Sequence, residues 1–222
     1  MFISMYKKAL AVLAKKPIML WGLSRLSIIL TAVGSVATAP ILALSVGVAY
    51  LFRCGMAKVY LDGLEGKEVN STQLFAAFSK NCVRIAGGMA WADIWLLIWL
   101  LVPIAGPIIA IVKFYSYRFV PYILMTRPEV TATDALKLSM HLTNGKKGQM
   151  FLADLCIGIG YFVVALVLGL LSAIPYIGIL FRLIMIVISI LYVLFLPIFS
   201  GLYQAAFYRC GKVVKVEVQD AE

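Results

Sequence analysis

Two aspartates stand inside apolar runs, Asp93 in MAWADIW (Met89 to Trp95) and Asp154 in MFLADLC (Met150 to Cys156). A carboxylate so placed needs a reason, because an isolated charge in an apolar medium is costly. Two readings stand: an ion pair that holds helices together, or a station on an ion or proton pathway. Four cations, Arg25, Lys113, Arg118 and Arg182, lie in similar surroundings and outnumber the two acids. That surplus fits a held anionic lipid headgroup or anionic substrate. Snorkelling of Arg25 and Arg182 to the nearer membrane surface is the alternative.

Other candidates point away from catalysis. Trp91, Trp95 and Trp99 recur every fourth residue and share a stripe from which Asp93 is turned away, as expected of lipid contact or packing more than of a ligand cage. Gly158-x-Gly160 lacks the strand that a dinucleotide fingerprint requires, and Asn144 to Gly148 reads as a basic turn rather than a phosphate cradle. His141, the single histidine, sits beside Lys137 and reads as a solvated side chain. The cysteines, Cys54, Cys82, Cys156 and Cys210, match neither zinc spacing nor a small disulfide scaffold and read as free thiols. No zinc-peptidase, phosphate-loop or nucleophile-elbow motif is present. The expectation is a protein with no catalytic residue, cofactor or metal.

The elements that carry these residues are membrane helices. Of 222 residues, 63% are hydrophobic and 14% charged, whereas a soluble domain has about 45–50% and about 25%. Six spans are expected, at about 17–36, 40–60, 88–102, 107–125, 149–174 and 177–203. As one helix, the 39 residues of 88–126 would run about 58 Å, against a hydrocarbon thickness of about 30 Å. Pro103 to Pro107 therefore makes a turn, as does Pro175 to Gly178. In the resulting hairpin Asp93 and Arg118 lie at similar depth and are expected to pair. Arg25 is placed to join them, and Lys113 lies nearer the outer side.

The first segment is read as a retained helix rather than a cleaved leader, since its apolar run is long and Pro40 follows Ala37-Thr38-Ala39. With six spans and the N-terminus inside, Lys7, Lys8, Lys16, Arg53, Lys80, Arg84, Arg127, Lys146, Lys147 and Arg209 fall on the inner side and none on the outer turns. The net charge of +10 is then a basic collar against anionic headgroups, with no call for nucleic acid. Both termini are expected in the cytoplasm.

The two aspartates belong to a repeated block. Glu68 to Gln73 aligns with Glu129 to Asp134, and Met89, Ala92 and Asp93 with Met150, Ala153 and Asp154, all at an offset of 61 (154 − 93). The repeat is parallel, with units of about 62–125 and 126–203 in a single domain of 1–222. Arg53-Cys54-Gly55 echoes Arg209-Cys210-Gly211 more faintly. Asn70 with Gln73 and Thr131 with Asp134 have capping-box spacing, each opening a short helix. Leu74 with Phe78, and Leu136 with Met140, share faces suited to an amphipathic helix lying in the interface, or to a connector packed on the bundle. In span five, Asp154, Gly158, Ala165, Gly169 and Ser172 form a small-residue side expected to face inward.

The stretch from Tyr115 to Phe162 resembles an uncharacterised bacterial integral-membrane family, domain of unknown function nine-seven-five. The residues that carry this are Tyr115, Tyr117, Pro121 to Leu124, Ala135 to Ser139 and Asn144 to Lys147, with Ala206 to Arg209 further on. Thr126-Arg127-Pro128 departs from the family's usual acidic or Asn-Pro turn, and a tryptophan common near Lys147 is missing. The family is similar to the membrane domain attached to some glycerophosphodiester phosphodiesterases. The resemblance implies a bacterial cytoplasmic membrane and lipid-related work, and brings no catalytic residues.

The expected fold is thus an all-α, six-span bundle with a parallel repeat and short interfacial helices. The expected function is a non-catalytic membrane scaffold that binds lipid, through anionic headgroups, or a partner protein or second copy of itself. The alternative is a small transporter or channel whose polar path is lined by Asp93, Arg118 and Asp154.

Overall fold

A computed structural model describes residues 2–15, 17–37, 42–78 and 81–219. Lys16, the leader boundary at Thr38-Ala39, the proposed span start at Pro40, and Lys80 lie outside the described residues. The elements in order are α1 (Phe2–Lys15), α2 (Pro17–Ala37), α3 (Leu42–Leu64), α4 (Ser71–Leu74), α5 (Cys82–Leu100), α6 (Gly106–Tyr117), α7 (Val120–Thr126), α8 (Ala132–Leu142), α9 (Lys147–Leu171) and α10 (Gly178–Gln219). A 3-10 turn spans Ala76–Phe78, and no strand occurs among the described residues. Among the described residues six stretches are long and apolar enough to cross a membrane: Pro17–Gly34, Leu44–Leu64, Cys82–Leu100, Gly106–Thr126, Lys147–Leu171 and Gly178–Gly211.

The third span starts at Cys82, six residues before the expected 88, because Gly87 and Gly88 continue the helix instead of ending it. The sixth runs well past 203. Its apolar stretch of 34 residues makes about 51 Å of helix, so its later part leaves the hydrocarbon and packs against α1.

Both expected turns, at Pro103 and at Pro175, form, and they share one geometry. Ala105 N donates to Pro103 O at 2.6 Å and Gly106 N to Val102 O at 2.9 Å; Ile177 N donates to Pro175 O and Gly178 N to Ile174 O, both at 2.8 Å. The central residues, Ile104 and Tyr176, have φ of 64° and 66°, the strained three-residue turn that β-branched and bulky residues rarely adopt. Glycine closes each turn because a Cβ on Gly106 would lie 2.7 Å from Leu100 O, and one on Gly178 2.2 Å from Ser172 O.

Span four is not the continuous helix expected over 107–125. It breaks at Arg118-Phe119, between α6 and α7. Pro121 has no N–H to return to the helix before it, so the ladder cannot pass through. The backbone groups exposed at the break are met by α8. Ser139 Oγ donates to Ser116 O at 2.7 Å and accepts from Phe119 N at 3.2 Å, and Thr143 Oγ1 donates to Ser116 O at 3.4 Å. Irregular backbone at membrane depth survives only where protein satisfies it in this way.

Helix α8 is capped by Thr131, whose hydroxyl accepts from Asp134 N at 3.2 Å. Ala135, Leu136, Ser139 and Leu142 are buried while Asp134, Lys137 and His141 are exposed, so its apolar face packs on the bundle. The corresponding first block is shorter, with Asn70 N donating to Gln73 Oε1 at 3.3 Å.

The tight core lies at the end that carries α1, α4 and α8. Tyr203, Phe119, Phe207, Leu20 and Ile123 are fully buried there. Towards the opposite end α9 and α10 present Phe162, Leu166, Leu170, Leu183, Ile186 and Ile190 outward, as a lipid-facing hairpin would.

Candidate functional site

The predicted polar residues are brought together differently from the expectation. Arg118 does not pair with Asp93. Its guanidinium closes on Asp154, with Nη1 donating to Oδ2 at 2.5 Å and Nη2 to Oδ1 at 3.3 Å. The cause is the break, which puts Arg118 at the end of α6, where α9 packs alongside with Tyr115 and Phe151 edge to face at 5.9 Å. Tyr115 donates its hydroxyl to Asp154 Oδ2 at 2.9 Å, and Arg118 Nη2 donates to Tyr203 OH at 3.1 Å. The guanidinium also lies 5.1 Å from the Tyr115 ring centroid and 5.7 Å from that of Tyr203, so a rigid cradle holds it. Tyr6 of α1 stacks edgewise on Tyr203 at 5.7 Å and donates its hydroxyl to Ala153 O.

Asp93 instead accepts from Tyr50 of α3, hydroxyl to Oδ2 at 2.5 Å, and has no ion pair among the described residues. Arg25 does not join this group either. Pro197 of α10 offers no N–H to Val193 O, and Arg25 Nη2 donates to Val193 O at 3.4 Å and to Leu194 O. Arg25 therefore mends the sixth span rather than snorkelling. Lys113 finds no carboxylate: its ammonium lies 4.8 Å over the Trp99 ring and 3.7 Å from Met140 Sδ. Arg182 is exposed on α10.

The tryptophan stripe splits into an edge-to-face pair, Trp91 with Trp95 at 6.0 Å, and Trp99 under Lys113. The small-residue side of span five does not draw helices close, since a Cβ on Gly158 or Gly169 would meet nothing within 4 Å. Close approach falls on glycines not singled out by that pattern. A Cβ on Gly201 would lie 2.1 Å from the Tyr60 ring, and one on Gly55 2.0 Å from Leu74 O. The four cysteines are free, and no group of three metal-ligating side chains occurs among the described residues.

Sequence reasoning missed Arg53. It was counted with the inner basic collar, but α3 runs from Leu42 to Leu64 and places Arg53 at its midpoint. A signal was available. Tyr50-x-x-Arg53 recurs as Tyr115-x-x-Arg118 at an offset of 65 (118 − 53), and in both cases the tyrosine bonds the aspartate of the repeated block. The two Tyr-x-x-Arg stretches differ in their arginine. Arg118 is locked to Asp154, whereas Arg53 makes no hydrogen bond or ion pair among the described residues and is exposed.

These side chains line a run of cavities. One, of about 310 Å³, is bounded by Ser27, Arg53, Tyr60, Ser200 and Gln204. It shares Arg53, Pro121 and Gln204 with a smaller cavity of about 110 Å³ that reaches Asp93 and Arg118. That one shares Asp93, Leu96 and Phe114 with an open groove of about 860 Å³, walled by Leu97, Leu100, Ala110, Ile111 and Phe151. The run is therefore polar and cationic at one end and apolar at the other, with Asp93 at the junction.

The fold and cavities define a multi-pass α-helical bundle with the dimensions of a membrane protein. No family model, curated protein or solved structure matches the chain.

Proposed function

We propose that this protein is a non-catalytic, lipid-binding membrane protein that takes an amphiphile with its chain in the groove between α5 and α6 and its polar end towards Arg53 and Gln204. The observation that carries this reading is the run of cavities that share wall residues, apolar at Leu97 and Ile111 and polar at Ser27 and Arg53. The volumes of about 310 and 860 Å³ fall in the range of roughly 300–1,000 Å³ common to ligand pockets. Residence in the bacterial cytoplasmic membrane, cytoplasmic termini, a duplicated helical unit and the family resemblance belong to the same reading. They rest on the basic end of the bundle and on the string around Tyr115 to Phe162.

The experiment is native mass spectrometry of the full chain released from lipid nanodiscs, comparing wild type with Leu97→Trp and Ala110→Trp, which fill the groove. Retained lipid in the wild type, lost in both variants at unchanged melting temperature, supports the reading. Lipid-free wild type, or retention unaffected by the filled groove, refutes it.

The transporter reading is favoured by one observation, the break of span four at Arg118, since interrupted helices line substrate paths in many transporters. It predicts proton or ion flux in proteoliposomes that Asp93→Asn abolishes while the protein remains folded.

A further inference from the structure

The locked Arg118 and the open Arg53 each follow a tyrosine that bonds an aspartate, Tyr115 to Asp154 and Tyr50 to Asp93, and the difference between them carries a further assignment. A charged side chain at mid-span faces a partner or a polar cavity, because hydrocarbon will not solvate it. Arg118 has its partner. Arg53, at the midpoint of α3, has none among the described residues, and its guanidinium borders the cavity of about 310 Å³.

No carboxylate lines that cavity. Most of its hydroxyls are already spent on backbone. Tyr60 donates to Pro197 O at 3.3 Å, Tyr122 to Gly201 O at 3.0 Å and Ser200 to Pro197 O at 3.1 Å. Ser24 is taken up by Tyr60. The donors with no hydrogen bond among the described residues are the guanidinium of Arg53, the amide of Gln204 and the hydroxyl of Ser27. A cation with a planar fork of N–H groups, an amide and a hydroxyl around one acid-free space constitute the chemistry of an oxyanion site. Donors brought in from three helices, Ser27 on α2, Arg53 on α3 and Gln204 on α10, suit a tetrahedral phosphate, whose oxygens point in different directions, better than a carboxylate, whose acceptor sites lie in one plane.

We infer that Arg53, Gln204 and Ser27 form a binding site for a phosphate group. The assignment rests on the lipid reading only for the source of the phosphate, a lipid headgroup rather than a free ion. The neighbouring Asp93 accepts from Tyr50 and makes no ion pair with Arg53, which leaves the guanidinium to the ligand.

The test uses the purified full chain as wild type, Arg53→Gln, Arg53→Lys and Gln204→Leu. In one arm, nanodiscs containing equal phosphatidylglycerol and diacylglycerol are analysed by native mass spectrometry; in the other, inorganic phosphate is titrated in neutral detergent and followed by thermal melting. The wild type should favour phosphatidylglycerol over diacylglycerol about tenfold or more, the worth of a charge-assisted hydrogen bond. Arg53→Gln and Gln204→Leu should remove that preference, and Arg53→Lys should recover only part of it.

Stabilisation of the wild type by inorganic phosphate, lost in Arg53→Gln, would name the free ion as the source and still support the site. No preference and no phosphate response in the wild type, or preferences unchanged in Arg53→Gln and Gln204→Leu, overturn it. If Leu97→Trp expels lipid while Arg53→Gln keeps the phosphate preference, the groove stands and this site falls. If Arg53→Gln loses the preference while the filled groove changes nothing, the reverse holds.

Discussion

Arg118 grips Asp154 with hydrogen bonds of 2.5 and 3.3 Å, although Asp93, the carboxylate facing it across the hairpin turn, borders the same small cavity. The two half-buried acids are therefore unequal. Asp154 neutralises a cation and Asp93 is held only by a hydroxyl.

Their substitutions should differ accordingly. Asp154→Asn leaves Arg118, whose side chain is 9% exposed, without its counter-charge. The cost should approach the roughly 3–5 kcal/mol of a broken buried pair, less what solvent returns at the 28% exposed Asp154 side chain. Asp93→Asn removes an unpaired carboxylate that keeps its tyrosine partner, and should change stability by about 1 kcal/mol or less in either direction. Melting of both variants in detergent checks the order, and equal losses would contradict the assignment of partners.

Ser139→Ala should weaken the break in span four. It strips the partner from Phe119 N and leaves Ser116 O only the longer bond from Thr143, and one buried unsatisfied group costs about 1–3 kcal/mol. Amide hydrogen exchange should quicken from Arg118 to Tyr122 while the outer half of α6 is unchanged. Uniform exchange across span four would mean that α8 does not support it.

Glycine positions give a sharp contrast. Gly201→Ala sets a methyl 2.1 Å from the Tyr60 ring and Gly178→Ala sets one 2.2 Å from a backbone oxygen, so each should cost about 1–3 kcal/mol from overpacking. Gly158→Ala and Gly169→Ala meet open space and should be neutral or stabilise by up to about 1 kcal/mol through helix propensity. Ranked melting temperatures test the set, and a large loss at Gly158 would point to a tight contact at that face.

Burial pushes the Tyr6 hydroxyl up from 10.0 to about 12. A raised value means that the folded chain holds this proton where the unfolded chain has released it. Its contribution is complete below about pH 10 and is lost as pH rises towards 12. Between those values Tyr6→Phe should lose less stability than the wild type, as read from the difference between their alkaline melting curves. Parallel curves would count against a buried, hydrogen-bonded hydroxyl.

How far the chain was legible follows from the kind of information each feature needs. The two outer turns were readable because Pro103 and Pro175 act locally, and a span of fixed thickness forces a long apolar stretch to fold back. The break at Arg118 was not read, although Pro121 was in view, because a proline in a membrane helix can kink it or end it depending on what meets the freed backbone. Ser139 and Thr143 decide that here, from an element some twenty residues away. Tyr50 and Arg53 went unnoticed because the repeat was followed at an offset of 61, and their match to Tyr115 and Arg118 lies at 65.

By itself the amino-acid sequence determined that this chain is helical with six stretches long and apolar enough to cross a membrane, that Arg25, Asp93, Arg118 and Asp154 fall within such stretches, and where the chain reverses. Those properties follow from composition and length, which any arrangement of the helices would share. Only the tertiary structure decided that Asp154 rather than Asp93 receives Arg118, that Arg25 mends the proline break in α10, and that Arg53 faces a cavity. A charge at membrane depth must find a partner, but which one it finds depends on the rotation and contact of helices far apart in sequence, and no local pattern encodes that.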